Sequence, residues 1–83
     1  MAKRIVWSDQ AKADVRAIEQ RSALQILKTL ARFAKTEEGN VRQLAGVEPP
    51  QFRLRTQDHR VFFHVHEDAI EILRVRDRKE AYR

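Results

Sequence analysis

Phe52-Arg53-Leu54-Arg55-Thr56-Gln57-Asp58-His59-Arg60-Val61-Phe62-Phe63-His64-Val65 is the stretch that decides the fold. Apolar residues recur at every second position on each side of a short polar break, which is the period of a β-strand. If Gln57-Asp58 is a two-residue turn, Thr56 faces His59. The pairs that follow are Arg55 with Arg60, Leu54 with Val61, Arg53 with Phe62, and Phe52 with Phe63. A second turn at Glu67-Asp68 pairs Val65 with Ile70, His64 with Glu71, and Phe63 with Ile72. One face then carries Phe52, Leu54, Val61, Phe63, Val65, Ile70 and Ile72, and is the expected core face. The other carries Arg53, Arg55, Arg60, Phe62, His64 and Glu71. A slip of one residue would scramble both faces, so the register is strongly specified. Past Ile72 the pattern changes phase, because Leu73 and Val75 fall on the opposite face. Either a β-bulge near residues 72–74 restores the core phase, or both faces are partly covered there.

Working outward, Lys3 to Trp7 reads as a short strand, and Ser8 as the N-cap of a helix with Asp9 in its first turn. That helix is expected from residue 9 to about 20, with Ala11, Val15 and Ile18 as its apolar stripe. Ser22 is a second N-cap candidate, so a tight helical hairpin with its turn near Gln20 to Ser22 is expected. The second helix runs to about Lys35. Its expected core stripe is Leu24, Leu27, Leu30, Ala31 and Ala34, with Ile26 and Phe33 on an adjoining face. Gly39-Asn40 ends the helical region. Residues 37–50 read as a connection containing Leu44, Gly46, Val47 and Pro49-Pro50. Strands follow at about 51–56, 59–66 and 69–76. The expectation is a single α+β domain over residues 1–83, in the order β-α-α-β-β-β. A helical hairpin packs on one face of a mainly antiparallel four-stranded sheet.

Composition narrows the function classes. Eighty-three residues make one small domain with a modest core. There is no cysteine, so disulfides and thiolate metal sites are excluded and a reducing, cytoplasmic setting fits. No signal peptide or membrane span is legible. The net charge is +5, from 17 basic and 12 acidic residues, and the positive charge gathers toward the C-terminal half. A polyanionic partner, either nucleic acid or an acidic protein, is expected.

The outer face of the hairpin is the candidate site. Arg55 opposite Arg60, with Arg53 two residues along, is an unfavourable like-charge arrangement in a sheet. An anion bound between them offsets that repulsion. Forked guanidinium hydrogen bonds suit phosphate oxygens, and Phe62 on the same face offers a stacking surface for a base. His64 and His66 share a face by alternation, but no third ligand accompanies them, so no metal and no cofactor are expected. His64 is expected to pair with Glu71. Trp7 and Phe33 are expected in packing roles. The chain closes on Arg78-Lys79-Glu80-Ala81-Tyr82-Arg83.

Taken together, the first strand, the helical hairpin, the Leu44-x-Gly46 approach, Phe52-Arg53-Leu54-Arg55, Asp58-x-Arg60-Val61 and the closing Arg78-Lys79-Glu80-x-Tyr82-Arg83 resemble the RelE/ParE superfamily of bacterial toxin–antitoxin toxins. The resemblance implies two helices on one face of a curved antiparallel sheet, and a cognate antitoxin, expected to be acidic, as partner. The outer residues Ile26 and Phe33 are candidates for that contact or for a dimer contact. For the RelE branch it implies a metal-independent endoribonuclease that cuts mRNA on the ribosome. For the ParE branch it implies inhibition of DNA gyrase without nuclease chemistry. An inactive member that only binds its antitoxin is a third possibility. Carried over by residue, Arg60, Arg78 and Tyr82 take catalytic places, and Arg53 and Arg55 stand where the RelE pattern has a basic pair, often lysines. Arg53, Arg55, Phe62 and His64 are the candidate substrate-binding residues. Arginine keeps its proton and does not act as a general base, so Tyr82 is the candidate base, with a histidine proton shuttle as the alternative.

Overall fold

A computed structural model describes residues 3–77 of the chain. The elements are β1 (Arg4–Trp7), α1 (Asp9–Arg16), α2 (Gln20–Thr36), β2 (Asn40–Gln43), β3 (Phe52–Arg55), β4 (His59–Val65) and β5 (Ala69–Asp77). They form one five-stranded sheet in the order β1-β5-β4-β3-β2. β1 runs parallel to β5, with Ile5 opposite Ile70 and Trp7 opposite Ile72, and the other neighbours are antiparallel. The expected four strands become five, because Asn40–Gln43 joins β3 as an edge strand. With Val41 as its only apolar residue, this segment carries no alternating pattern of its own.

The hairpin registers are as the alternation predicts. Phe52, Arg53, Leu54 and Arg55 face Phe63, Phe62, Val61 and Arg60. Phe63, His64 and Val65 face Ile72, Glu71 and Ile70. The register then shifts: Phe62 faces Arg74 while Phe63 faces Ile72, so Leu73 is the extra residue of a bulge. The bulge returns Val75 to the core, opposite Val61, and moves Arg74 and Arg76 to the outer face.

Ser8 ties this region together. Its Oγ accepts from Ala11 N at 3.0 Å, capping α1, and donates to the carbonyl of Leu73 at 3.0 Å. One hydroxyl thus satisfies a free helical N–H and a bulge carbonyl at once. α1 ends at Arg16, short of the expected residue 20, and α2 begins at Gln20 with Glu19 as N-cap. Ser22 lies inside the first turn of α2 and is not its cap. α2 closes on Glu37 in a left-handed conformation (φ 61°). Gly39 then turns the chain into β2. Its φ is 157°, and a Cβ there would come within 2.9 Å of Leu54 Cδ1.

The core lies between α2 and the inner sheet face: Ile26, Leu30 and Ala34 meet Leu54, Val61, Phe63, Ile70, Ile72 and Val75. The expected phase of α2 is therefore rotated. Ile26 is fully buried and Phe33 packs partly against the core, whereas Leu24 and Leu27 are 48% and 43% exposed and Ala31 faces solvent. Apolar residues cover most of this helix, so periodicity alone offers two stripes. The stripe at positions 26, 30, 33 and 34 is the one whose volumes fill the sheet face. Val65, expected in the core, is 42% exposed. It lies beyond the end of β3, which stops at the Phe52–Phe63 pair. Among the described residues no helix is long and apolar enough to cross a membrane.

Candidate functional site

The sheet face opposite the helices carries two basic rows. The first runs Asn40–Arg55–Arg60–Arg76 across four strands, and the second runs Arg42–Arg53–Phe62–Arg74. Directly opposed residues on neighbouring strands have Cβ atoms about 4.5–5.5 Å apart, so each row sets arginines side by side. Arg53, Arg55, Arg60 and Phe62 are where the alternation puts them. Arg42, Arg74 and Arg76 join them unforeseen. Arg42 sits in the unrecognised edge strand, and the bulge obscured the phase of the other two. The Arg–Val–Arg alternation at residues 74–76 is the signal that would have found them.

These arginines are not equivalent. Arg55 is exposed and Arg53 is half-buried, while Arg60 is only 2% exposed. β4 is the middle strand, so Arg60 has neighbours on both sides, and its Nη1 donates to the carbonyl of His59 at 3.2 Å. Phe62 is half-buried between Arg53 and Arg74. Arg78 and Tyr82, expected in the site, lie outside the described residues.

Arg74 is held from the other side of the sheet edge. Asp14 Oδ2 on α1 accepts from Arg74 Nε at 3.1 Å and from the backbone N of Val75 at 2.9 Å. β1 ends at Trp7, so Asp14 takes the place of a ladder partner along the rest of β5. Burial raises the Asp14 carboxyl pKa, but the hydrogen bonds from Val75, Gln10 and Arg74, with the arginine's charge, outweigh it and leave the pKa below the ordinary aspartate value. A depressed carboxyl stabilises the fold above its unfolded pKa, and that stability is lost as pH falls through the folded value. We expect Asp14→Asn to lower unfolding free energy by about 1 kcal/mol near neutral pH, a figure reduced for Arg74's partial exposure. The difference from the unsubstituted protein should hold down to about pH 5 and shrink below about pH 4. Urea titrations at pH 7 and pH 3 check it, and an equal difference at both would refute the assignment.

The histidines separate. His59 is buried at the start of β4, opposite Asp77. It lines a cleft of about 470 Å³ with Asp14, Arg74 and Arg76. His64 lies against the carbonyl of Pro50 at 2.8 Å, and His66, not His64, pairs with Glu71, at 3.0 Å. The expected His64–Glu71 pair is thus opposite in register but not bonded, because His66 Nε2 reaches the carboxylate diagonally. Among the described residues, no group of three or more His, Asp or Glu side chains gathers to hold a metal ion.

A second surface lies on the helical side of the protein. Leu24, with Arg21, Gln25 and Lys28, lines a cavity of about 620 Å³, and Leu27 lines another of about 240 Å³ with Trp7, Lys12, Val15 and Arg16. Both combine apolar floors with basic rims.

A family model described as the ParE toxin of the type II toxin–antitoxin system parDE matches residues 5–82. No curated protein shows a significant sequence match. Among solved structures, a chain of the archaeal RelE–RelB complex from Pyrococcus horikoshii OT3 superimposes with a TM-score of 0.77 at 21% identity, over 94% of this chain and 97% of that one. A chain of the toxin–antitoxin complex RelBE2 from Mycobacterium tuberculosis gives 0.73 at 17% identity, over 94% and 100%. One from the RelB–RelE complex of Methanococcus jannaschii gives 0.73 at 17%, over 93% and 94%. At these identities the likeness is one of fold.

Proposed function

Because the chain belongs to the ParE toxin family of type II toxin–antitoxin systems, we propose that it is a toxin whose arginine face binds mRNA on the ribosome and promotes its cleavage without a metal. The observation that carries this reading is the pair of like-charged rows around Phe62. Arginines gathered side by side make a basic surface, and a phosphodiester backbone laid along it supplies the complementary charge. Phe62 supplies the face on which a base stacks.

The chemistry is internal to RNA. The 2′-OH attacks the adjacent phosphorus, the bond from phosphorus to the 5′-oxygen breaks, and a 2′,3′-cyclic phosphate and a 5′-OH result. One proton leaves the 2′-OH and one is delivered to the departing oxygen. Arg53 and Arg55 bind the phosphate, and Arg60 and Arg78 stabilise its added negative charge. Arginine does not take the 2′-OH proton, so Tyr82 is the proposed base.

The antitoxin is proposed as an acidic segment with apolar anchors, seated on Leu24 and Leu27 between the basic rims of α1 and α2. This fits a helix-in-groove contact. Inhibition of DNA gyrase is the second reading. Arginine rather than lysine at positions 53 and 55, together with the ParE description of the family model, favours it.

Primer-extension mapping of mRNA ends after induction separates the two. New 5′ ends inside translated regions are expected. Intact mRNA together with inhibited supercoiling would replace the nuclease reading with the gyrase one.

A further inference from the structure

Beside the arginine face lies a cavity of about 500 Å³, lined by Pro49, Pro50, Phe52, His64, Val65, His66 and Glu71. Its walls are apolar and its polar groups are few, the usual make-up of a small-ligand site. Its position follows from the register. His64 comes two residues after Phe62 on the same face of β4, about 7 Å along the strand, and Glu71 is its cross-strand partner. A strand that stacks a base on Phe62 and runs along β4 therefore reaches His64 and Glu71 of this lining. The exposure of Val65, anomalous for a core position, is the exposure of one of its walls.

The hydrogen-bonding character of the polar edge can be worked out atom by atom. The carbonyl of Pro50 only accepts, so the 2.8 Å contact places a proton on His64 Nδ1. In the neutral ring Nε2 is then an acceptor. Glu71 Oε1 accepts from His66 Nε2 at 3.0 Å, which orients the carboxylate, and Oε2 takes no hydrogen bond among the described residues. The lining thus contains two acceptors, Glu71 Oε2 and His64 Nε2, beside apolar side chains. Guanine is the common base whose Watson–Crick edge carries two adjacent donors, N1–H and the 2-amino group. Adenine, cytosine and uracil each bring at least one acceptor against the carboxylate.

We infer that the Pro50–His64–Glu71 cavity is a guanine-selective base subsite for the strand bound on the arginine face. The inference rests on the proposed RNA reading and adds a sequence preference to it.

Fluorescence anisotropy with deoxycytidine pentamers carrying one guanine, adenine or hypoxanthine base tests it, since these oligonucleotides lack the attacking 2′-OH. The guanine pentamer is expected to bind about tenfold tighter than the adenine one, in line with a bidentate base contact. Hypoxanthine, which lacks the 2-amino group, should lose much of that advantage. Glu71→Gln, an isosteric change at a half-exposed side chain, should bring the guanine-to-adenine ratio close to one. Equal binding of the guanine and adenine pentamers would overturn the subsite and leave the arginine face standing. Failure of every pentamer to bind at low salt would overturn the nucleic-acid reading itself.

Discussion

Alanine at both Arg53 and Arg55 is expected to lower the proposed mRNA cleavage by at least about a thousandfold while leaving the melting temperature unchanged or slightly raised. The two effects point in opposite directions because the two roles do. Arg53 stands opposite Arg42, and Arg55 stands between Asn40 and Arg60. Removing them lessens the crowding of like charges across the strands, worth a few tenths of a kcal/mol per pair. In the proposed complex with RNA each supplies charge-assisted hydrogen bonds to phosphate, and a lost donor to developing negative charge costs roughly a hundredfold or more. Binding should also become less salt-sensitive, with a slope shallower by about 1.4 for two lost single-strand phosphate contacts. Cleavage assays, thermal melts and binding at several salt concentrations read all three. A fall in melting temperature matching the loss of activity would show that the arginines serve the fold and not a ligand.

How far the sequence carries the structure depends on whether a residue's neighbours are close in the chain. The β3–β4 and β4–β5 pairings follow from local alternation and two short turns, and the bulge at Leu73 follows from a phase change visible within four residues. β2 lacks a pattern to find. The parallel pairing of β1 with β5 joins residues more than sixty positions apart. In α2, Leu24 and Ile26 are equally apolar, and only the sheet decides that Ile26 goes in and Leu24 stays out. The site divides along the same line. Arg53, Arg55 and Phe62 are legible from one hairpin, whereas Arg42 and Arg74 need neighbouring strands to bring them alongside. Arg60 is on the expected face, but its burial comes from being on the middle strand, a property of the whole sheet.

The rotation of α2 also has a functional consequence. A helix whose second apolar stripe is left outside, flanked by Arg21 and Lys28, carries a surface that the fold itself does not consume. The arginine rows are a second such surface, on the far side of the sheet. Exposed leucines and a crowded basic face are both features that the proposed partners would cover. In this family a toxin paired with an antitoxin has a reason to carry such features, since binding shifts the folding equilibrium by mass action.

Phe63 is the sharpest stability probe of this fold. Phe63 is fully buried on the middle strand, with Phe33 at 5.5 Å and Phe52 at 5.7 Å between ring centroids. It faces Ile72 beside the bulge. Phe63→Ala leaves a cavity where α2, β3 and β5 converge, and the expected cost is about 3–5 kcal/mol. A domain of this size has little more than that in total, since stabilities of about 5–15 kcal/mol are usual and small cores lie at the low end. The isolated variant should therefore show a urea midpoint reduced by half or more and be partly unfolded at 37 °C. Saturating antitoxin at one hundred times its dissociation constant restores about 2.7 kcal/mol, so the variant should refold within the complex while remaining unstable alone. Urea titrations of the isolated variant and of the complex read both halves. A loss below about 1 kcal/mol would mean that the aromatic cluster repacks around the gap and is not the keystone its geometry describes.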